Sequence, residues 1–128
     1  MEAPDFKGKT VMLVEDDYSS RVYLSRLLIK TGAEVVESAN GFDALNRITE
    51  NNNISLVFMD LQMPGMDGFE TARKIRESRK DIKIIAQTAY GLPEDIGMLR
   101  SSGFDDFLIK PIYEEDLYRM IQKYRDFI

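Results

Sequence analysis

The stretch Phe58-Met59-Asp60-Leu61-Gln62-Met63-Pro64-Gly65-Met66-Asp67-Gly68 decides how this chain is read. It places an aspartate at the end of an apolar segment, immediately before a turn that opens a helix. The run Ile54-Ser55-Leu56-Val57-Phe58-Met59 is nearly continuous and too short for an ordinary helix, which predicts a strand buried on both faces. Pro64, Gly65, Asp67 and Gly68 mark a loop, and the residues from Phe69 to Arg76 carry helical spacing. In open α/β sheets ligands bind just beyond the carboxyl ends of the strands, which is where Asp60 falls. The segment alone leaves open a helix-capping or turn aspartate.

Outward from this stretch, strand-like and helix-like segments alternate. The predicted strands are Lys9–Val14, Glu34–Ser38, Ser55–Met59, Ile82–Gln87 and Asp105–Ile109. The predicted helices are Tyr18–Thr31, Gly41–Asn51, Gly68–Ser78, Pro93–Ser102 and Tyr113–Phe127. Such alternation implies an α/β fold with a mostly parallel sheet, right-handed crossovers and helices on both faces. Gly32 and Gly103 follow the first and fourth helices where a left-handed residue is favoured, and Pro93 suits a first helical position. Leu24, Leu27, Leu28 and Thr31 form a core-facing stripe on the first helix. Tyr23 lies about 100° around the helix from Leu24, which predicts partial exposure. Residues 1–8 read as an N-terminal tail or remnant, and residues 9–128 as one domain.

With 128 residues the chain has room for one domain with a sizeable core. No apolar run approaches a membrane span, and the acidic start Met1-Glu2-Ala3-Pro4-Asp5 is not a signal peptide, so a cytoplasmic domain without membrane contact is expected. The absence of cysteine and histidine excludes disulfides, thiolate metal sites, cysteine nucleophiles and a serine triad. What remains is the chemistry of carboxylates, lysine, hydroxyls and backbone amides. A net charge of −5 without a basic block speaks against nucleic-acid binding.

Four predicted strands end in residues that converge on one sheet edge. The first runs into Glu15-Asp16-Asp17, the third ends at Asp60, the fourth at Thr88 and the fifth at Lys110-Pro111. Clustered carboxylates repel one another unless a cation neutralises them. Hard oxygen donors without histidine or cysteine point to Mg²⁺. A lysine and a hydroxyl opposite them suit the remaining oxygens of a phosphoryl group. Singly, an acidic run is ordinarily solvated surface, Lys-Pro an ordinary loop and Thr88 an ordinary strand former. The conjunction carries the weight.

On Val14-Glu15-Asp16-Asp17, Met59-Asp60 through Gly68, Gln87-Thr88-Ala89 and Ile109-Lys110-Pro111, the chain from Lys9 to about Phe127 resembles the receiver domains of two-component response regulators. The resemblance implies a flavodoxin-like, doubly wound (βα)5 fold with strand order 2-1-3-4-5. It implies that Asp60 is a phosphoacceptor forming an acyl phosphate with a phosphohistidine donor. Asp16 and Asp60 would bind Mg²⁺ directly, together with the Gln62 backbone carbonyl, and Glu15 through a water. Lys110 would pair with the phosphoryl oxygens and Thr88 would hydrogen-bond to one of them. Lys110-Pro111 would be a cis peptide, a geometry that is costly without proline. Phe107 matches the aromatic switch residue, which turns inward as Thr88 moves.

Phosphoryl transfer passes through a loose transition state, so positioning and charge neutralisation supply most of its catalysis. The domain would catalyse its own phosphorylation and dephosphorylation without otherwise being an enzyme. The added charge would bias a surface made of the fourth helix, fifth strand and fifth helix, which also allows a weak homodimer. Gly97 inside the fourth helix costs about 0.5–1 kcal/mol relative to alanine, suggesting plasticity there. Gln62 and Tyr90 depart from the commonest pattern and flank the path of an attacking water. A bulky Tyr90 is expected to slow self-dephosphorylation, the alternative being that it packs on the loop.

Asp60-Leu61-Gln62-Met63-Pro64, the segment from Phe69 to Arg76 and Ile84-Ile85-Ala86-Gln87-Thr88-Ala89-Tyr90 look most like the receivers of hybrid sensor histidine kinases, particularly those of Bacteroides-like bacteria. The abrupt start suits an excised domain, and the sequence leaves no room for an output domain after the fifth helix. The alternative is a stand-alone regulator or phosphorelay shuttle. The partner would be a kinase dimerisation domain or a histidine phosphotransfer domain, docking on the first helix near Asp17, Ser19, Ser20 and Tyr23. Tyr23 serves equally well as partial core packing. A haloacid-dehalogenase-type phosphatase would need an aspartate where Gln62 stands, and a nucleotide- or flavin-binding module would want glycines where Glu15-Asp16-Asp17 stand. A degenerate receiver that acts only by binding is a remote alternative, since Glu15, Asp16, Asp60, Thr88 and Lys110 are all present.

Overall fold

A computed structural model describes residues 1–89 and 93–128, those at 93–95 by backbone alone. Five parallel strands form one sheet in the order β2-β1-β3-β4-β5. They are β1 (Thr10–Val14), β2 (Glu34–Ser38), β3 (Ile54–Asp60), β4 (Lys83–Thr88) and β5 (Asp106–Ile109). The helices are α1 (Tyr18–Ile29), α2 (Gly41–Glu50), α3 (Gly68–Ser78), α4 (Pro93–Ser101) and α5 (Glu114–Tyr124). The implied strand order and alternation are therefore borne out.

Element ends shift by a residue or two from the predicted ones, which is the usual fraying of boundaries. The largest difference is at the C-terminus. There α5 stops at Tyr124 and tightens into a 3-10 turn over Arg125–Phe127.

Two apolar layers follow from the alternation of side chains along buried strands. Val57 and Met59 of β3 face Ala44, Ile48, Ala72, Ile75 and Leu99 on α2, α3 and α4. Leu56 and Phe58 face Leu24, Leu27, Leu28, Leu117 and Ile121 on α1 and α5. The predicted stripe on α1 is buried, and Thr31 with it. Phe6, placed in the tail by the sequence reading, is instead 1% exposed within the α1/α5 layer, with its N–H donating to the Thr31 carbonyl at 2.7 Å.

Side-chain caps start the helices where the loops need them. Asp17 accepts from Ser20 N at 2.9 Å, Asn40 from Asp43 N at 2.8 Å and Asp67 from Glu70 N at 2.9 Å. Gly32 and Gly103 take positive φ, 84° and 95°, as expected after their helices. In the register, Val14 lies beside Met59, Asp60 beside Gln87 and Thr88 beside Ile109. Four strands therefore end together on one edge of the sheet.

Candidate functional site

The β3–α3 turn is built so that Asp60 projects from a strand end with a helix start packed against its peptide. Gly65 sits at φ 79°, in the left-handed region that glycine enters without penalty. Gly68 N donates to the Leu61 carbonyl at 3.0 Å. A Cβ on Gly68 would collide with the Asp60 carbonyl oxygen and stand 2.7 Å from Leu61 Cα. Asp60 itself is buried, with Oδ1 accepting from Gln62 N at 3.4 Å.

The acidic residues at the end of β1 converge on Asp60. One carboxylate oxygen each from Glu15, Asp16 and Asp60 lie within 4.8 Å of one another, with Glu15 and Asp60 buried and Asp16 exposed. Lys110, presented at the end of β5, places Nζ 3.0 Å from Asp60 Oδ1 and 3.5 Å from Glu15 Oε1. The Lys110–Pro111 peptide is cis, as the resemblance implies. Thr88 is buried and lines, with Asp60, Gln62 and Lys110, a cleft of about 450 Å³. The structure thus brings together the five residues expected to meet.

Electrostatics follow from this crowding. Burial, then the hydrogen bond and the charge of Asp60, push the Glu15 carboxyl up to about 8; Lys110 and the Asp17 N–H oppose the shift. Burial works to lower Lys110, but the hydrogen bond to Asp60 and the charges of Asp60 and Glu15 outweigh it and hold the ammonium above its ordinary range. Among the described residues, the buried Glu15 Oε1 has no hydrogen-bond partner. An all-oxygen donor set, in which the buried Glu15 Oε1 is met only by the Lys110 ammonium at 3.5 Å, fits a hard divalent cation of the Mg²⁺ kind, which would neutralise this repulsion.

The remaining expected residues fall around this centre. Phe107 is half-buried and packs against the α2/α3/α4 layer. The Gln62 side chain is exposed at the rim, and Tyr90 lies outside the described residues. Ser19 is exposed, Ser20 half-buried, and Asp17 caps α1. Tyr23 is 46% exposed and its hydroxyl donates to the Ile112 carbonyl at 3.0 Å, so it ties α1 to the loop after β5.

Gln87 was not expected at the site. It is 1% exposed and lines the cleft, and among the described residues neither its amide oxygen nor its amide nitrogen has a hydrogen-bond partner. A lone amide inside the apolar run of β4 was the available signal.

Comparison with known proteins agrees with this geometry. Residues 11–122 match the family model of the response regulator receiver domain, so the chain belongs to that family. It is a receiver domain of the two-component phosphorelay class. It is 39% identical over 121 residues to hybrid signal transduction histidine kinase L of Dictyostelium discoideum, covering 89% of this chain and 7% of the kinase. It is 40% identical over 119 residues to the two-component response regulator ORR41 of rice (Oryza sativa subsp. japonica), covering 90% of this chain and 93% of that protein. The chain spans only 7 to 15% of the length of four sensor kinases among its relatives. Among solved structures, it matches the co-crystal of the yeast (Saccharomyces cerevisiae) phosphotransfer protein Ypd1 with the receiver domain of Ssk1. That match has a TM-score of 0.86 and 29% identity, covering 95% of this chain and 90% of that one.

Proposed function

We propose that Asp60 accepts a phosphoryl group from a phosphohistidine, and that the cluster around it catalyses both this transfer and the later hydrolysis. The observation that carries the reading is Lys110 Nζ at 3.0 Å from Asp60 Oδ1, beside the Glu15, Asp16 and Asp60 carboxylates. An Asp60 oxygen forms the new O–P bond while the N–P bond of the donor breaks, and the electron pair leaves on the imidazole. Lys110 moves with the transferred charge, from the carboxylate to a phosphoryl oxygen, and Thr88 donates to another. Asp16, Asp60 and the Gln62 carbonyl would hold a Mg²⁺ directly and Glu15 would hold it through water; the ion supplies charge neutralisation for the equatorial oxygens.

The new dianion then biases Thr88 and Phe107, and through them the surface formed by α4, β5 and α5, where a weak homodimer can assemble. Gln62 and Tyr90 set the lifetime of the acyl phosphate by controlling access of water. The phosphodonor is a kinase dimerisation domain or a histidine phosphotransfer domain in the cytoplasm, docking on α1 at Asp17, Ser19, Ser20 and Tyr23. The likeness to a receiver solved together with a phosphotransfer protein supports this partner class. Sensor kinases among the relatives favour a place within a hybrid sensor histidine kinase. The likeness to rice ORR41 over 93% of that regulator supports the second reading, a stand-alone regulator or phosphorelay shuttle.

The test is intact mass after incubation with Mg²⁺ and acetyl phosphate or phosphoramidate. Wild type should gain one phosphoryl group only when Mg²⁺ is present, and Asp60→Asn should gain none. An equal gain in the variant would exclude Asp60 as the acceptor.

A further inference from the structure

The peptide that carries Glu15 and leads into Asp16 is held from two sides. On one side the Glu15 N–H donates to the Ser38 carbonyl of β2 at 3.0 Å. On the other, Arg21 reaches back from α1, and its Nη1 donates to the Glu15 carbonyl at 2.8 Å. Arg21 is itself braced. Its Nε lies 3.6 Å from Glu37 Oε1 on β2, and its guanidinium carbon lies 5.6 Å from the centroid of the Tyr18 ring. Its side chain is 19% exposed, low for an arginine on the first turns of a surface helix. A planar guanidinium can serve a carbonyl, a carboxylate and a ring face at once, which a lysine cannot.

We propose that Arg21 is a positioning residue for the acidic pair: by clamping the Glu15 carbonyl it fixes how Glu15 and Asp16 project toward Asp60, and thereby sets the affinity of the cluster for a divalent cation. This rests on the reading of the cluster as a Mg²⁺ site. It separates from two simpler roles by sign. Were Arg21 acting only through its charge, it would repel a bound cation, and its removal would tighten binding. Were it only bracing the fold, its removal would lower the melting temperature and leave the affinity of the folded protein unchanged.

The experiment is calorimetric titration of the full chain with Mg²⁺ for wild type, Arg21→Met and Arg21→Lys, with amide hydrogen exchange at residues 15–17 in the metal-free proteins. Arg21→Met should weaken Mg²⁺ about tenfold, the scale seen when a group supporting a metal ligand is lost, and should speed exchange at residues 15–17. Arg21→Lys should fall between it and wild type. Mg²⁺ bound by Arg21→Met as tightly as by wild type, or more tightly, would overturn the proposal, as would unchanged exchange. If Arg21→Met does not fold, Arg21→Lys decides by the same sign. Absence of Mg²⁺ binding in wild type would instead overturn the metal-site reading, while the exchange data would still report on the clamp.

Discussion

At the residue scale, Glu15 keeps its proton to about pH 8 because it is buried against Asp60. Unfolded, the same carboxyl titrates near 4.5. Below that pH both states are protonated, and the stability gained from the raised folded value is fully present. Between about 4.5 and 8 only the folded state keeps the proton, so stability falls as pH rises, and the contribution is gone above the folded value. The metal-free protein should therefore melt at progressively lower temperature across this window, and Glu15→Gln should flatten the trend. Cation binding must displace the same proton, so Mg²⁺ affinity should rise with pH over the same range. A wild-type pH profile of melting no steeper than that of Glu15→Gln would contradict this assignment.

At the element scale, two glycines on helices test what positions the site. Gly68 opens α3 directly over the Asp60 peptide, where an added Cβ meets the Asp60 carbonyl oxygen and Leu61 Cα. Gly97 lies within α4 and is exposed, and among the described residues no heavy atom lies within 4 Å of an added Cβ. The same change to alanine should thus have opposite signs. Gly97→Ala should stabilise by about 0.5–1 kcal/mol through helix propensity. Gly68→Ala should destabilise by about 1–3 kcal/mol as the turn is pushed away, and should slow phosphorylation of Asp60 with it. Denaturant melts of the two variants check both signs; a stabilised Gly68→Ala would remove the packing argument. Among the described residues, no close approach requires glycine at position 97.

At the scale of the whole molecule, the β/α alternation and the meeting of Glu15, Asp16, Asp60, Thr88 and Lys110 were legible because each rests on a short local signal, an apolar run, a turn or a charged residue at a strand end, whereas the strand order came only with the resemblance to receiver domains. Parallel pairing alone then carries those ends to one edge. Contacts between distant elements were not legible. Phe6 looked like part of a polar tail because nothing nearby in sequence marks its burial against the α1/α5 layer. The Arg21 contacts to Glu15 and Glu37 likewise join separate elements, and although Gln87 stands within a quoted motif, its burial at the cleft shows only in the fold.

Tyr23 also acts between elements, and its dual character yields a prediction. Tyr23 is 46% exposed on the face proposed to meet a partner, while its hydroxyl donates to the Ile112 carbonyl. Tyr23→Ala should slow transfer from a protein phosphodonor several-fold while leaving phosphorylation by acetyl phosphate unchanged. Equal slowing with both donors would mean that Tyr23 serves the site through packing and not through docking.

The most direct test of the central claim is to locate the phosphoryl group. Protein phosphorylated in the presence of Mg²⁺ is reduced with borohydride, which converts an aspartyl phosphate to homoserine, and is then mapped by peptide mass spectrometry. Homoserine at position 60, with Glu15, Asp16 and Asp17 unchanged, is the predicted result. Homoserine at position 16 or 17, or phosphorylated protein with no reduced acidic residue, would contradict the assignment of Asp60 as the acceptor.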